Sequence, residues 1–196
     1  MGYSQARFFV KNGVDSNGKP NITGAAIPFL LETNEVNNIS LALTPNESER
    51  EYKADNRVVK DKVLNGFDGT VAYYGMDKSA MVNLSAFRVD SNNHLVLKGS
   101  TDGNPAVVLF ARGQNEKGKK FIIWLYDVEF STPSFNLNQP EDNPSSNSLG
   151  FFASKIPYGG EDVFGIIIYE DETGYVAEGT EPTAADLVMP VAVSVS

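Results

Sequence analysis

Three features of the sequence predict a mainly β fold, an antiparallel β-sandwich or barrel with one flanking α-helix. The apolar runs are short and rich in Val, Phe and Tyr, residues that suit a pleated, half-buried surface. Clusters of Gly, Pro, Asn and Asp punctuate them at short intervals, as turns between strands do. Only one stretch carries a helical repeat. About ten strands, one helix and short connections favour packed antiparallel layers over a parallel α/β arrangement. A chain of 196 residues suits one domain spanning 1–196 with an ample core.

The elements follow in chain order. "ARFFVKN", 6–12, reads as a strand, followed by a turn-rich loop containing Asn17-Gly18. "GAAIPFLLE", 24–32, reads as a second strand, in which Pro28 cannot donate to a ladder and so marks an edge or a bulge. "NNISLALTP", 37–45, alternates Ile39, Leu41 and Leu43 on one face. Residues 47–66 are mixed in character, and "FDGTVAYYG", 67–75, is again a strand. A helix is expected at about 77–89: Asp77 can cap its first turn, and Ala80, Met81, Leu84 and Phe87 recur as one apolar stripe.

"HLVLKG" is a short strand. "PAVVLFARG", 105–113, and "KKFIIWLYDVEFS", 119–131, flank a short polar loop containing Gly118, a strong hairpin pattern. Within it Phe121, Ile123 and Leu125 share one face, and Ile122, Trp124 and Tyr126 the other. Both faces are apolar, so both need cover, from a helix, a loop or a neighbouring subunit. Residues 132–147 read as a loop. "SLGFFASKIPY" and "VFGIIIYED" read as a second hairpin-like pair around "GGED". The segment at about 174–196 is expected to be a C-terminal arm or an added strand.

Composition excludes several classes. There are no cysteines, so neither a disulfide scaffold nor a thiolate metal site is available. No apolar run approaches the roughly 18 residues of a membrane span, and the start lacks the basic and apolar regions of a signal peptide. The net charge of −9 is uneven. Residues 1–98 carry 11 basic and 11 acidic side chains, whereas 99–196 carry 5 and 14. From Asp127 onward only Lys155 opposes 12 carboxylates. That sign is opposite to what gripping nucleic acid by its phosphates requires.

Nothing in the sequence supplies a catalytic constellation. The one histidine, His94, lies where a turn enters a strand, and no serine sits in a nucleophile-elbow pattern. "PED", "GGED" and "YEDETG" are acidic, but "EDETG" lacks the oxygen spacing of an EF-hand loop. "GGEDVFG" lacks the lysine and glycine spacing of a phosphate loop. The expectation is a chain that is not an enzyme and needs no cofactor.

"ESEREYKADNRVVKDKVLNGFDGTVAYYGMDKSAMVNLSAF" resembles the major tail (tail tube) proteins of long non-contractile phages of Gram-positive hosts. Tyr52, Ala54, Asp55 and Asn56 are the most specific part of the likeness, which spans roughly residues 5–170. "VVLFARGQNEKGKKFIIWLYDVEFSTPSFNLNQPEDN" and "SLGFFASKIPYG" are similar to the family's next two blocks; the C-terminal segment has no counterpart in it. The resemblance implies a virion structural protein, made in the host cytoplasm. Its subunits would close into hexameric rings that stack into the channel through which DNA passes without specific binding. It implies a tape-measure protein inside during assembly, and terminator and distal tail proteins at the ends, with no membrane partner.

On that reading residues 46–66 would be a long excursion, mobile in the free subunit and packed on the adjacent ring. Tyr52, Lys53, Asp55, Arg57 and Lys60 are its polar contact candidates, and Val58, Val59, Val63 and Leu64 its apolar anchors. Ordering about twenty residues costs on the order of 1–2 kcal/mol each, which repeated ring-to-ring contact would offset. An acidic lumen would repel DNA. Two other readings compete. A carbohydrate-binding β-sandwich would stack sugars on exposed Tyr73, Tyr74, Trp124 or Tyr126. An acid-based glycosidase would need two carboxylates facing each other across a cleft of roughly 5–10 Å.

Overall fold

A computed structural model of the chain describes residues 2–22, 27–28, 40–54, 57–73, 78–84, 87–97, 104–131 and 147–191. The strands are β1 (Gly2–Val14), β2 (Pro20–Ile22), β3 (Ile27–Pro28), β4 (Ser40–Ala54), β5 (Arg57–Tyr73), β6 (Phe87–Val89) and β7 (Leu95–Leu97). They continue with β8 (Val107–Gln114), β9 (Lys120–Phe130), β10 (Asn147–Ser154), β11 (Ile156–Tyr158), β12 (Glu161–Val163) and β13 (Gly165–Tyr169). One helix, α1 (Lys78–Leu84), and a short 3-10 turn at Ala184–Asp186 complete the described elements. The fold is mainly β, as the sequence predicts.

The main sheet is antiparallel in the order β2-β1-β8-β9-β10-β5-β4, with β13 branching from β9 and β3 from β1. Strand β9 holds this arrangement together. One edge pairs with β8; the other is shared, β13 taking Phe121–Leu125 and β10 taking Val128–Phe130. Ala6 and Phe8 of β1, Leu109 of β8, Ile123 and Leu125 of β9, Phe151 of β10 and Val71 of β5 all belong to one buried cluster. The sheet therefore curls so that its β1-β8-β9 part faces its β10-β5-β4 part, a sandwich made from one sheet. Phe151 lies opposite Gly69 on β5, where a Cβ would run into the aromatic ring.

Three hairpin turns are built alike. Asp15, Asp90 and Asn115 each accept, through Oδ1, the backbone N–H groups two and four residues on, at 2.7–3.0 Å. The fourth residue of each turn, Gly18, Asn93 or Gly118, takes a positive φ of 88°, 66° or 81°. This is a type I turn closed by a left-handed residue, and the Asx side chain stands in for the missing backbone acceptor. His94 completes the second of these turns, exposed, with Nδ1 3.0 Å from the Asp90 carboxylate.

The second face of β9 is covered by the chain itself. Ile122, Trp124 and Tyr126 form a second cluster with Phe9, Phe110 and Ile168, closed over by Val176 and Leu187 of the C-terminal segment. Polar contacts fasten that segment down. Arg112, 4% exposed, donates to the carbonyls of Val176 and, at 2.6 Å, Thr180. Its guanidinium also lies over the Phe110 ring, 5.1 Å from the centroid. Tyr126 donates to the Val188 carbonyl at 2.9 Å, Arg7 pairs with Glu181 at 2.6 Å and Lys120 with Glu178 at 2.5 Å.

Several sequence expectations are corrected. The helix expected at 77–89 is helical over Lys78–Leu84 and does not reach Phe87, which lies in β6, paired with Leu97 of β7. Phe87 is buried all the same, so an apolar position was read correctly but assigned to the wrong element. Asp77, its expected cap, falls outside the described residues. The second hairpin-like pair is a hairpin only at β11 and β12; β10 and β13 diverge to separate stretches of β9. Through Val191 the C-terminal segment is neither a free arm nor a strand but a strap across Trp124. The second apolar face of β9 thus needs no neighbouring subunit.

Replacing Arg112 with Met should leave the Val176 and Thr180 carbonyls without their charged donor. Urea unfolding should report a loss of about 2–4 kcal/mol, with new protease cleavage between Tyr175 and Met189. An unchanged denaturation midpoint would remove Arg112 as the anchor. The strap also carries a pH signature. The Lys120 hydrogen bond, reinforced by its charge, lowers the pKa of Glu178, and the same bond raises that of Lys120. The Glu178 contribution is present above the ordinary glutamate range and is lost as pH falls through its lowered value. The Lys120 contribution is lost only as pH rises through its raised value. Proteolysis of the strap should therefore be slowest between these limits and rise toward both acid and strong base.

Candidate functional site

The feature that the core does not explain is the outer half of the β4–β5 hairpin. Within Gly66–Ala72, β5 is paired on both sides, with β4 and with β10. Beyond Gly66, among the described residues, β4 and β5 pair only with each other, through Glu47↔Leu64 to Ala54↔Arg57. At the junction Asn46 faces Gly66 and Glu47 faces Leu64, so Asn65 is an extra residue, a bulge that turns the ribbon away from the sheet. Asn46 donates to Asp68 at 2.8 Å across this root. The nine residues Arg57–Asn65 at about 3.3 Å each give a ribbon some 30 Å long.

The excursion expected at 46–66 is therefore strand-paired within one chain, not an irregular segment. Charge alternation hid it. Glu47, Glu49, Glu51, Lys60 and Lys62 lie on one face, and Lys60 reaches Glu51 at 3.2 Å and Glu49 at 3.5 Å while Lys62 reaches Glu47 at 3.0 Å. The apolar alternation that marks a half-buried strand is absent because neither face is buried: Glu49, Arg50 and Glu51 are exposed in succession.

The candidate residues fall as follows. Val58 is 56% exposed, and Val63 and Leu64 are half-buried. Val58 and Leu64 share a face by register; Val63 lies on the other, so the expected anchors do not form one patch. Lys60 is exposed and ion-paired. Tyr52 stands opposite Val59, Lys53 opposite Val58 and Ala54 opposite Arg57 in the ladder. Asp55 falls outside the described residues.

Sequence reasoning missed a second feature, an apolar groove of about 510 Å³. It is lined by Leu43 and Phe67 at the ribbon's root, Ile123 and Leu125 of β9, and Val163 to Ile167. It exists because β10 and β13 divide one edge of β9 between them, leaving a cleft where they part. Phe67 and Phe164 meet edge to face beside it, with centroids 5.2 Å apart. Ile167 is 53% exposed and continues the apolar face begun by its cross-strand partner Ile123.

The competing sites fare differently. Trp124 and Tyr126 are fully buried, so neither can serve as a sugar-stacking platform. Tyr74 and the side chain of Tyr73 fall outside what is described. The "EDETG" carboxylates are engaged in the structure: Glu170 accepts from the Lys120 amide, Asp171 pairs with Lys119, and Glu172 accepts from the Tyr169 amide. No protein family and no curated protein sequence matches the chain.

Because its ion pairs are exposed, the ribbon's charges should matter little to folding. Lys60→Ala should shift unfolding stability by less than about 0.5 kcal/mol. A larger loss in urea titration would mean that the ribbon is part of the cooperative core.

Proposed function

We propose that the chain is a self-assembling structural subunit, the tube subunit of a long non-contractile phage tail. The observation that carries this reading is the projecting ribbon. An isolated two-stranded hairpin is marginal by itself, and among the described residues the outer part of β4 and β5, about 30 Å of it, pairs with no other strand. Such a ribbon is accounted for if another subunit covers it. The sequence resemblance over roughly residues 5–170 supplies the particular assembly: hexameric rings stacked head to tail. A heterologous contact of this kind generates an open-ended polymer.

The acidic second half of the chain suits a channel past which DNA slides, since like charge keeps phosphates from binding. On this reading the chain has no catalytic role and requires no cofactor. Its partners are other copies of itself and, by the resemblance, a tape-measure protein and the proteins that close the tube ends. The carbohydrate-binding alternative loses its main support with the burial of Trp124 and Tyr126.

Negative-stain electron microscopy with light scattering, over a range of concentrations, tests the reading. Hollow tubes that lengthen with concentration are expected. A variant in which an Asn-Gly turn joins Asn46 directly to Gly66 should keep its β circular dichroism yet fail to lengthen. A chain that stays monomeric at every concentration counts against self-assembly, and tubes that grow without the ribbon remove the ribbon as the stacking contact.

A further inference from the structure

The groove and the ribbon are complementary in three independent respects. The first is the open edge. The Phe164 carbonyl accepts from the Tyr126 amide at 3.0 Å, and the Glu170 amide donates to the Lys120 carbonyl at 3.1 Å. Even-numbered residues of β13 therefore turn their backbone groups toward β9, and Gly165 and Ile167 turn theirs away. Among the described residues β13 pairs with β9 alone. A strand edge and an apolar groove thus lie open side by side, the arrangement that accepts an added extended segment.

The second respect is charge. The segment flanking the groove, 161–172, holds Glu161, Asp162, Glu170, Asp171 and Glu172 and no basic residue. Lys155 and Lys119 pair with Asp162 and Asp171, so among the described residues Glu161, Glu170 and Glu172 form no salt bridge with a lysine. The ribbon's end, 53–60, holds Lys53, Arg57 and Lys60 against Asp55. The two segments carry opposite net charge, −5 over 161–172 and +2 over 53–60; Lys60 is shared with Glu49 and Glu51 of its own ribbon, so Lys53 and Arg57 are the cations that answer the carboxylates. The third respect is apolar fit and reach. Val58 is the one strongly exposed large hydrophobic on the ribbon among the described residues, and the groove offers apolar lining. Leu43 and Phe67 put the groove at the ribbon's root, so a ribbon about 30 Å long carries its end away from its own groove and toward that of a neighbour.

We infer that the groove beside β13 receives the Val58 end of the β4–β5 ribbon from a second copy of the chain. The contact is heterologous and repeats along a line, each copy giving a ribbon and receiving one, with an advance of about one ribbon length. The inference rests on the self-assembly reading for its partner, but its own content is the receiving site.

The absence of cysteine makes the test direct. Val58→Cys and Ile167→Cys are made as separate full-length proteins, both at exposed positions. They are mixed at concentrations where scattering rises, and a mild oxidant takes up the two electrons released as two thiols join. A mixed disulfide dimer should outweigh either homodimer, and should diminish when salt is added before the oxidant. Lys117→Cys, at the exposed β8–β9 turn, replaces Ile167→Cys in the control and should give no such dimer. Absence of the mixed disulfide, or equal capture by the Lys117 variant, overturns the inference. Tubes without the mixed disulfide would overturn this receiving site and keep the tail-tube reading. Mixed disulfides without tubes would keep the site and sink the tube. Neither product would sink both.

Discussion

Strand β9 must be covered on both sides, and most of the architecture follows from that requirement. Its alternate residues are apolar in both phases, from Phe121 to Tyr126, and all six are buried. A single curled sheet can cover one face of a strand but not the other. The first face is covered when β10, β5 and β4 fold across β1, β8 and β9. The second has no sheet available, and the chain's last segment supplies the cover. A segment without regular structure has few backbone partners of its own, so side chains of the sheet provide them: Arg112 and Tyr126 donate to its carbonyls. Burying a guanidinium this deeply is tolerable because it is hydrogen-bonded and because Glu178 and Glu181 stand near it.

What was legible in the sequence divides along this line. The two phases of β9 and the hairpin it makes with β8 are written in strict alternation around a short polar turn, and both appear in the fold. The division of β9's second edge between β10 and β13 is a long-range choice. No local pattern encodes it, so the sequence suggests a hairpin for two strands that pair with separate stretches of β9. The helix was overextended for a related reason. Leu84 and Phe87 are both buried, at a spacing of three that a helix would give, but Phe87 reaches the interior from a strand. The strap is unreadable in the sequence because its buried residues, Val176, Pro182 and Leu187, are six and five positions apart and obey no period.

The candidate surface was partly legible. Its location at 46–66 stands out as a charged interruption between apolar strands, yet its strand character does not. The usual mark of a strand is one apolar face, and this ribbon has none to bury in its own chain. Cross-strand ion pairs of Lys60 with Glu51 and Glu49, and of Lys62 with Glu47, hold its register instead, a weak determinant in water. The groove was invisible in the sequence altogether, since it arises from the parting of two strands far apart in the chain.

The same branching at β9 sets the fold's interior and its open apolar groove. If β13 continued alongside β10 in one unbroken layer, the groove would close and Ile167, now 53% exposed, would have no open edge beside it. Because they part, apolar surface of the core reaches solvent at the ribbon's root. A protein destined to remain alone would gain by closing this gap, since an open apolar edge invites association. A protein destined to polymerise gains by keeping it, provided free copies do not associate indiscriminately. Were another copy's ribbon to occupy the groove, its flanking carboxylates would give that discrimination, repelling the equivalent acidic segment of a second copy while admitting the ribbon's Lys53 and Arg57.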